Sequence, residues 1–305
     1  MEERIEEGFV KIPNEMILPN EEGRTMVKDI DCKVLSIWIY LKNHECKGNC
    51  YFSLEDMVAE CGYKPDAHKG KINDKFKDIL SKMIKEKIII EINIDPKDKQ
   101  FKANTFIKCK LMDVKEKFFT LEDYQYKWIM EYKGKEEKLN LLKVFCLIKA
   151  RMYRRSADES ILDGLYEVAF PSYKDIECNC LISESVIKPY IDILVNLKLI
   201  KYDNLGQVVD RATGEVKECN NTYAIYKSGW ENEIEGAMGL LKKKLKEKGY
   251  IIPRNKRSVD NRSLGGKKRQ INKRINNGTA TEKDHIELEK INSQLKKKDE
   301  IEELL

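Results

Sequence analysis

The feature that most constrains the fold of this chain is a helix-to-strand step that occurs twice. The first copy is Asp78-Ile-Leu-Ser-Lys-Met-Ile-Lys-Glu-Lys-Ile-Ile89, and the second is Asp192-Ile-Leu-Val-Asn-Leu-Lys-Leu-Ile200. In both, apolar residues at helical spacing run directly into a β-branched or leucine-rich segment typical of a strand. The sequence therefore predicts two copies of one architecture, with a boundary near residue 117.

The first copy, residues 1–117, shows the full order of elements. Strand patterns occur at 8–12, 50–52, 88–94 and 101–111, and helix patterns follow the capping sequence Ser53-Leu-Glu-Asp56 and the turn at Gly70. The long helix after this turn has an apolar stripe at i, i+4, i+7, i+8, i+11 and i+12. Its members are Ile72, Phe76, Ile79, Leu80, Met83 and Ile84. These elements follow the order of a winged helix-turn-helix, which is strand, helix, strand, short helix, turn, long helix and hairpin.

The second copy, residues 118–229, repeats this order with an insertion at 154–163. Helices are predicted at 139–152, at 173–178 and after Ser183, with Pro189 inside the last of them, where proline should kink or weaken a helix. Strands are predicted at Val168–Phe170, Leu199–Asp203, Val208–Val216 and Tyr223–Tyr226, the last three forming a wing. The fold class is thus α+β and mainly helical, with tandem winged helix-turn-helix domains.

Charge is concentrated after the second copy. The whole chain has 57 Lys and Arg against 52 Asp and Glu, but residues 242–274 alone hold fourteen Lys and Arg against Glu247 and Asp260. We interpret 230–248 as a packing or linker helix, 249–280 as a basic, partly disordered tail, and 281–305 as a C-terminal helix. A basic segment of this kind is typical of proteins that bind a polyanion, most often nucleic acid. The alternative is a solubilising tail. The C-terminal helix is either a solvated or partner-bound helix or a self-associating coiled coil.

The sequence lacks the motifs that several classes of function require. The only glycine pair, Gly265-Gly266, follows no strand and forms no phosphate-binding loop, and the three histidines leave no plausible catalytic triad. His44, Cys46, Cys50 and Cys61 have irregular spacing, so buried or loop thiols are favoured over a zinc site. We therefore expect no enzyme activity, no cofactor and no metal. Nine cysteines, no apolar run of membrane length and no signal sequence predict a cytoplasmic protein that does not enter a membrane.

Three segments carry a resemblance to a known group of proteins. They are GFVKIP at 8–13, Cys61-Gly-Tyr-Lys-Pro65 with His68-Lys-Gly-Lys-Ile-Asn-Asp-Lys-Phe76, and Val195-Asn-Leu-Lys-Leu-Ile-Lys-Tyr202. Over roughly residues 8–227 the chain resembles winged-helix proteins of plasmids, phages and mobile elements of low-GC Gram-positive bacteria. Several members are replication initiators, so the resemblance implies binding to origin repeats and recruitment of host replication factors.

A winged helix places the N-terminal part of its second helix in the major groove of DNA. Residues 64–77 hold five lysines against Asp66 and Asp74, Gly70 would allow close approach of the backbone, and Asn73 would read adenine if it faces the groove. The alternative is a merely solvated helix face. The second copy has one cation on the comparable face and is expected either to read a further half-site or to serve dimerisation or partner docking. The predicted DNA-binding residues are Lys64, His68, Lys69, Lys71, Asn73, Lys75, Lys77, Lys97, Lys99, Ser183, Ser185, Lys188, Arg254, Arg257, Lys267, Lys268 and Arg269.

The sequence thus predicts a protein that binds double-stranded DNA in a sequence-specific manner, most readily a plasmid or phage replication initiator. Its expected partners are DNA, a host replication protein and a second copy of itself in a homodimer. Two alternatives remain open at this point. One is a winged-helix transcriptional regulator, and the other, of a different class, is an adaptor for helicase loading or partition in which both copies bind protein.

Overall fold

The computed structural model describes residues 8–252, 268, 271–275, 277 and 281–302. This part of the chain is mixed α+β, as the sequence predicts, with small antiparallel sheets. It divides into two compact units. The first comprises the chain up to Leu205 together with Glu218–Gly249, and the second comprises Gly206–Lys217 together with the chain from Tyr250 onward.

The first predicted copy forms a four-stranded sheet and four helices. The strands of the sheet have the order β2-β3-β5-β4. Strand β1 instead pairs with β6, which follows residue 117. The bounds are β1 (Phe9–Pro13), α1 (Met26–Asp29), α2 (Val34–Asn43), β2 (Glu45–Cys46), β3 (Asn49–Phe52), α3 (Leu54–Glu60), α4 (Ile72–Lys85), β4 (Ile89–Ile92), β5 (Ile107–Leu111) and β6 (Phe118–Glu122).

Three helices of the second copy lie close to their predicted positions, but the helix at Asp123–Met130 was not predicted. The bounds are α5 (Asp123–Met130), α6 (Lys138–Ala150), α7 (Tyr173–Cys180), α8 (Ile187–Asn196), β7 (Ile200–Asp203), β10 (Thr222–Ile225) and α9 (Trp230–Glu247), with β8 (Gln207–Asp210) and β9 (Val216–Glu218) between β7 and β10. The predicted strand Val168–Phe170 is reduced to a single bridge between Ala169 and Tyr223. The predicted strand at 101–111 begins only at Ile107.

One hydrophobic core runs through both copies within the first unit. It extends from Val10 on β1, through Trp38 on α2 and Phe145 on α6, to Tyr223 on β10. Helix α6 is central to it, since every residue from Leu141 to Lys149 is buried. The core is therefore continuous across the predicted boundary near residue 117, and β1 and β6 join the two sides of that boundary by backbone hydrogen bonds.

Pro189 does not disturb helix α8, contrary to the prediction. The helix begins at Ile187, so Pro189 occupies its first turn and not its interior. The first four N–H groups of a helix have no partner inside the helix. Proline, which lacks this N–H group, is therefore tolerated here, and its fixed φ suits the helical start.

The prediction that Val208–Val216 belongs to the same sheet as the strands on either side is also wrong. Strands β7 and β10 pair directly with each other, with Thr222 opposite Asp203. Asn204 closes this pair, because its side-chain amide donates hydrogen bonds to the carbonyl of Cys219 and to Asn221 Oδ1, both over 2.7 Å. The segment between them is thereby excluded from the pair, and β8 lies between β9 and β11 (Tyr250–Ile251) in a sheet of the second unit.

The C-terminal helix is confirmed over Glu282–Glu302. Asp284 fixes its start by accepting hydrogen bonds from the backbone N–H and the hydroxyl of Thr281, over 2.9 and 3.0 Å. Arg274 donates to the same carboxylate over 2.9 Å, and the side chains of Ile271 and Ile291 are buried. The basic segment between Pro253 and Lys267 lies outside the described residues.

Candidate nucleic-acid interface

Helix α4 is oriented by its buried stripe. Phe76, Ile79, Leu80 and Met83 are at most 3% exposed, as the spacing predicts. Burial of this face leaves the opposite side of the helix turned to solvent. Lys71, Lys75 and Asp78 lie on that side and are exposed.

Two aspartates hold the turn that leads into α4. Asp66 accepts the backbone N–H of His68 over 3.0 Å, and Asp74 accepts that of Gly70 over 2.7 Å. Gly70 has φ +74°, a conformation that residues with a side chain rarely adopt. These carboxylates are occupied by backbone donors, so the turn keeps a fixed shape beside its lysines.

Asn73 is not available to read a base, and this part of the prediction is corrected. Its side chain is 3% exposed, and its Oδ1 accepts the backbone N–H of Asp66 over 3.0 Å. Its backbone N–H donates to the carbonyl of Asp66 over 3.3 Å. Asn73 therefore joins the start of α4 to the preceding turn.

We expect Asn73→Ala to lower the free energy of unfolding by about 1–3 kcal/mol, because it leaves the Asp66 N–H group without its acceptor in a partly buried position. Chemical denaturation would measure the change. The exposed neighbour Lys75→Ala serves as a control and should change stability by less than about 0.5 kcal/mol. Equal stability of the two variants would show that the hydrogen bond contributes nothing.

The turn and the first turn of α4 carry five of the six basic residues that were predicted within 64–77. Each is exposed, and the group spans twelve positions of the chain. Its members are Lys64, His68, Lys69, Lys71 and Lys75. Each lysine keeps its ammonium group in water, where it can contact a phosphate without first leaving a buried position.

The connection between β4 and β5 lies beside this helix. Phe101 anchors it, with 1% exposure, and the ammonium of Lys77 on α4 lies 5.6 Å from the centre of the Phe101 ring. The carbonyl of Ala103 accepts the backbone N–H of Glu55 at the start of α3 over 2.8 Å. Lys77 is thus partly engaged by an aromatic ring, a contact that stabilises a cation by about 0.5–1 kcal/mol at exposed sites.

The same connection carries Lys97 and Lys99, both exposed, at its outer end. Asp95 and Asp98 accept the backbone N–H groups of Lys97 and Gln100, each over 2.8 Å, and so shape two tight turns. Lys102 is exposed in the same loop and was not among the predicted residues. The spacing of three lysines within six residues of a hairpin connection is the signal that could have identified it.

The comparable face of the second copy is different. Lys188 forms an ion pair with Asp192, and its ammonium lies 5.8 Å from the centre of the Tyr202 ring. Partial burial lowers the pKa of Lys188, but the contacts with Asp192 and Tyr202 raise it more, so the net shift is upward. Ser183 and Ser185 are exposed and hydrogen-bond to each other over 3.0 Å. The predicted residues do come together here, but the one cation is already paired.

The predicted residues of the tail are mostly outside the described part of the chain. Arg254, Arg257, Lys267 and Arg269 cannot be placed, while Lys268 is described as half-buried.

The cysteines of the discarded zinc hypothesis lie in different surroundings. Cys61 is buried at the end of α3, as predicted, and burial raises the pKa of its thiol. Cys50 is buried and lies opposite Cys109 across β3 and β5, whereas Cys46 is exposed. His44 instead comes near Asp56 and Glu60 of α3, with one donor atom of each within 4.8 Å of the others.

Within the described ranges, no helix is both long enough and apolar enough to cross a bilayer. No protein-family model, curated protein or solved structure matches this chain.

Proposed function

We propose that this protein binds double-stranded DNA in a sequence-specific manner through tandem winged helix-turn-helix domains. The observation that carries the proposal is the basic surface of the first copy, defined as Lys64, His68, Lys69, Lys71, Lys75, Lys97, Lys99 and Lys102. It combines the exposed N-terminal turn of an amphipathic helix with a lysine-bearing hairpin connection, and the Lys77–Phe101 contact holds the two side by side.

The mechanism follows from the roles of the two elements. Helix α4 would enter the major groove by its N-terminal end, where the helix dipole also favours phosphate. The β4–β5 connection would act as the wing and contact the adjacent backbone through Lys97, Lys99 and Lys102. Phosphate contacts by lysine fix position and register, whereas base contacts give specificity. With Asn73 buried, the residues placed to read bases are the exposed ones of the first turns of α4, such as Lys71 and Lys75.

The more specific form of the proposal is a replication initiator of a plasmid, phage or related element. Support for it is the resemblance of residues 8–227 to such proteins and the basic segment at 242–274, which would add non-specific affinity for phosphates. A transcriptional regulator would use the same interface.

The second copy favours a protein partner over DNA. Its single predicted cation is paired with Asp192, and the apolar side chains of Leu181 and Val186 are 57% and 44% exposed at the turn before α8. Two apolar side chains exposed five residues apart offer a small apolar contact for a protein partner. A host replication protein or a second copy of the chain would therefore bind here, which also retains the adaptor as a second candidate function.

The test compares two triple variants, each of which removes three positive charges. Lys69→Ala with Lys71→Ala and Lys75→Ala removes cations from the basic surface, and Lys127→Ala with Lys133→Ala and Lys135→Ala removes exposed cations elsewhere. Binding is measured by fluorescence anisotropy over a range of salt, on a random duplex and on a duplex selected by the wild-type protein. We expect the first triple variant to reduce the slope of log K against log salt by about one unit for each lost contact.

The control triple variant should keep the wild-type slope, and both variants should keep the wild-type melting temperature. An equal loss in both would indicate non-specific attraction by net charge. Wild-type binding by the first triple variant would remove this surface from the interface, and binding of a protein partner without any DNA affinity would favour the adaptor.

A further inference from the structure

His44 lies at the C-terminal end of α2, opposite two carboxylates of α3. Asp56 and Glu60 are separated by four positions, so both project from the same side of that helix. His44 Nε2 is 3.8 Å from Glu60 Oε1, and the three donor atoms lie within 4.8 Å of one another. One nitrogen and two carboxylate oxygens thus converge from two helices.

The imidazole is held in one tautomer. His44 Nδ1 lies 2.9 Å from the backbone carbonyl oxygen of Tyr40, which can only accept a hydrogen bond, so Nδ1 carries the proton. In the neutral ring, Nε2 then has a free lone pair, and it lies 3.8 Å from Glu60 Oε1. The ring also packs against the Tyr40 ring, with 4.2 Å between centroids. A histidine whose other nitrogen donates to a backbone carbonyl is the usual arrangement of a metal ligand.

Tyr40 also orients the second donor. Its hydroxyl donates to Asp56 Oδ2 over 2.7 Å, and the tyrosine is 2% exposed, so this contact is fixed by the core. The other side of the cluster is open, since the side chains of His44 and Glu60 are 33% and 54% exposed. An ion can therefore reach the cluster from solvent.

We propose that His44, Asp56 and Glu60 form a binding site for a divalent transition-metal ion of the zinc type, joining α2 to α3. Ligand atoms around a tetrahedral zinc ion with bonds of about 2.0 Å are about 3.3 Å apart. His44 Nε2 and Glu60 Oε1, 3.8 Å apart, are about 0.5 Å beyond this spacing, and each remaining pair of donor atoms is at most about 1.5 Å beyond it. A set of imidazole and carboxylate ligands suits zinc and its neighbours, whereas magnesium prefers oxygen ligands alone. Water would fill the remaining position.

This site does not depend on the proposed DNA binding. It uses one residue of the discarded set of His44, Cys46, Cys50 and Cys61, but its other donors come from α3. Its ligands are exposed and the core beneath them is complete without an ion, so the metal adds stability to a fold that forms on its own.

The test titrates the full-length, metal-free protein with Zn²⁺ by isothermal calorimetry and repeats the titration with Co²⁺ by absorption spectroscopy. We expect one equivalent bound at this site, a rise in melting temperature, and no effect of Mg²⁺. Glu60→Gln, an exposed substitution that leaves the fold intact, and His44→Gln should each weaken binding at least about tenfold. His68→Gln and His285→Gln are the matched controls and should bind as the wild type does.

Tyr40→Phe tests the orienting contact. It keeps the ring that packs on His44 but removes the hydroxyl that holds Asp56, so zinc binding should weaken by about 10- to 100-fold without loss of the fold. Zinc binding that survives both His44→Gln and Glu60→Gln would overturn the proposal. So would binding that Cys46→Ser abolishes and Asp56→Asn leaves unchanged, because the ligands would then be His44 and a thiolate.

Discussion

Glu233→Gln will lower the free energy of unfolding by about 2–3 kcal/mol, because it removes the charge from a partly buried carboxylate that accepts three hydrogen bonds. Glu233 lies in the first turn of α9 and is 4% exposed. Both of its carboxylate oxygens accept hydrogen bonds from the guanidinium of Arg155, and one also accepts the backbone N–H of Glu167 over 2.8 Å. With the neutral amide, the nearest carboxylate to the Arg155 guanidinium would be that of Glu167, 3.9 Å away.

The pH dependence of stability gives a second measurement on the same pair. Burial raises the pKa of Glu233, but the hydrogen bond and charge of Arg155 and the N–H of Glu167 lower it more, so the net shift is downward. A carboxyl whose pKa is lower in the folded state stabilises the fold above its unfolded pKa of about 4.3, and this contribution is lost as the pH falls through the folded pKa. The difference in stability between the wild type and Glu233→Gln should therefore be largest at neutral pH and shrink below about pH 4.

The matched control is Glu231→Gln, which removes an exposed carboxylate from the same helical turn. It should cost less than about 1 kcal/mol, mainly through the helix dipole. Urea denaturation at pH 7 measures all three proteins. A cost for Glu233→Gln no greater than that of Glu231→Gln would mean that the insertion at 154–163 is not held to α9 by this pair.

Phe76→Ala will lower the free energy of unfolding by about 3–5 kcal/mol through loss of buried apolar surface and creation of a cavity. Phe76 is fully buried at the centre of the α4 stripe, and its ring makes an edge contact with Tyr63, with 5.8 Å between centroids. It therefore fixes both α4 and the turn that carries the lysines of the basic surface. Ile90→Ala, at a strand residue that is 53% exposed, should cost far less.

Thermal and urea denaturation of the two variants measure this difference. DNA affinity of Phe76→Ala, measured at a temperature where it is still folded, should fall together with stability if α4 is the element that binds. Phe76→Leu fills most of the cavity and should recover most of the stability. A similar cost for Phe76→Ala and Ile90→Ala would contradict the packing of α4.

Local sequence patterns were sufficient for most elements of the fold. The spacing of Phe76, Ile79, Leu80 and Met83 identified both the length and the buried face of α4, since a helix buries residues at this period almost regardless of its partner. Ser53 was identified as the start of α3, and its hydroxyl does accept the backbone N–H of Asp56 over 3.2 Å. Such caps act within four residues, so the sequence alone specifies them.

Pairings between distant residues were not visible in those patterns. The exclusion of Val208–Val216 depends on Asn204 meeting Cys219 and Asn221, and the place of Pro189 depends on where α8 begins. A strand pattern indicates that a segment is extended, but it does not indicate which strand the segment pairs with. Asn73 was likewise predicted to read a base from its place in the sequence. In the structure its side chain is turned inward, where it accepts a hydrogen bond from the backbone N–H of Asp66.

The sequence by itself determined the α+β class, the positions of α3, α4, α6 and α7, the buried face of α4 and the concentration of lysine at 64–77. These properties follow from periodicity, capping and charge, which act between residues close in the chain. Only the tertiary structure decided that β1 and β6 join the two copies around one core, that Lys77 faces Phe101, and that His44 meets Asp56 and Glu60. These contacts join residues 12 to 113 positions apart, and their geometry is set by how whole helices and strands pack, which no local pattern encodes.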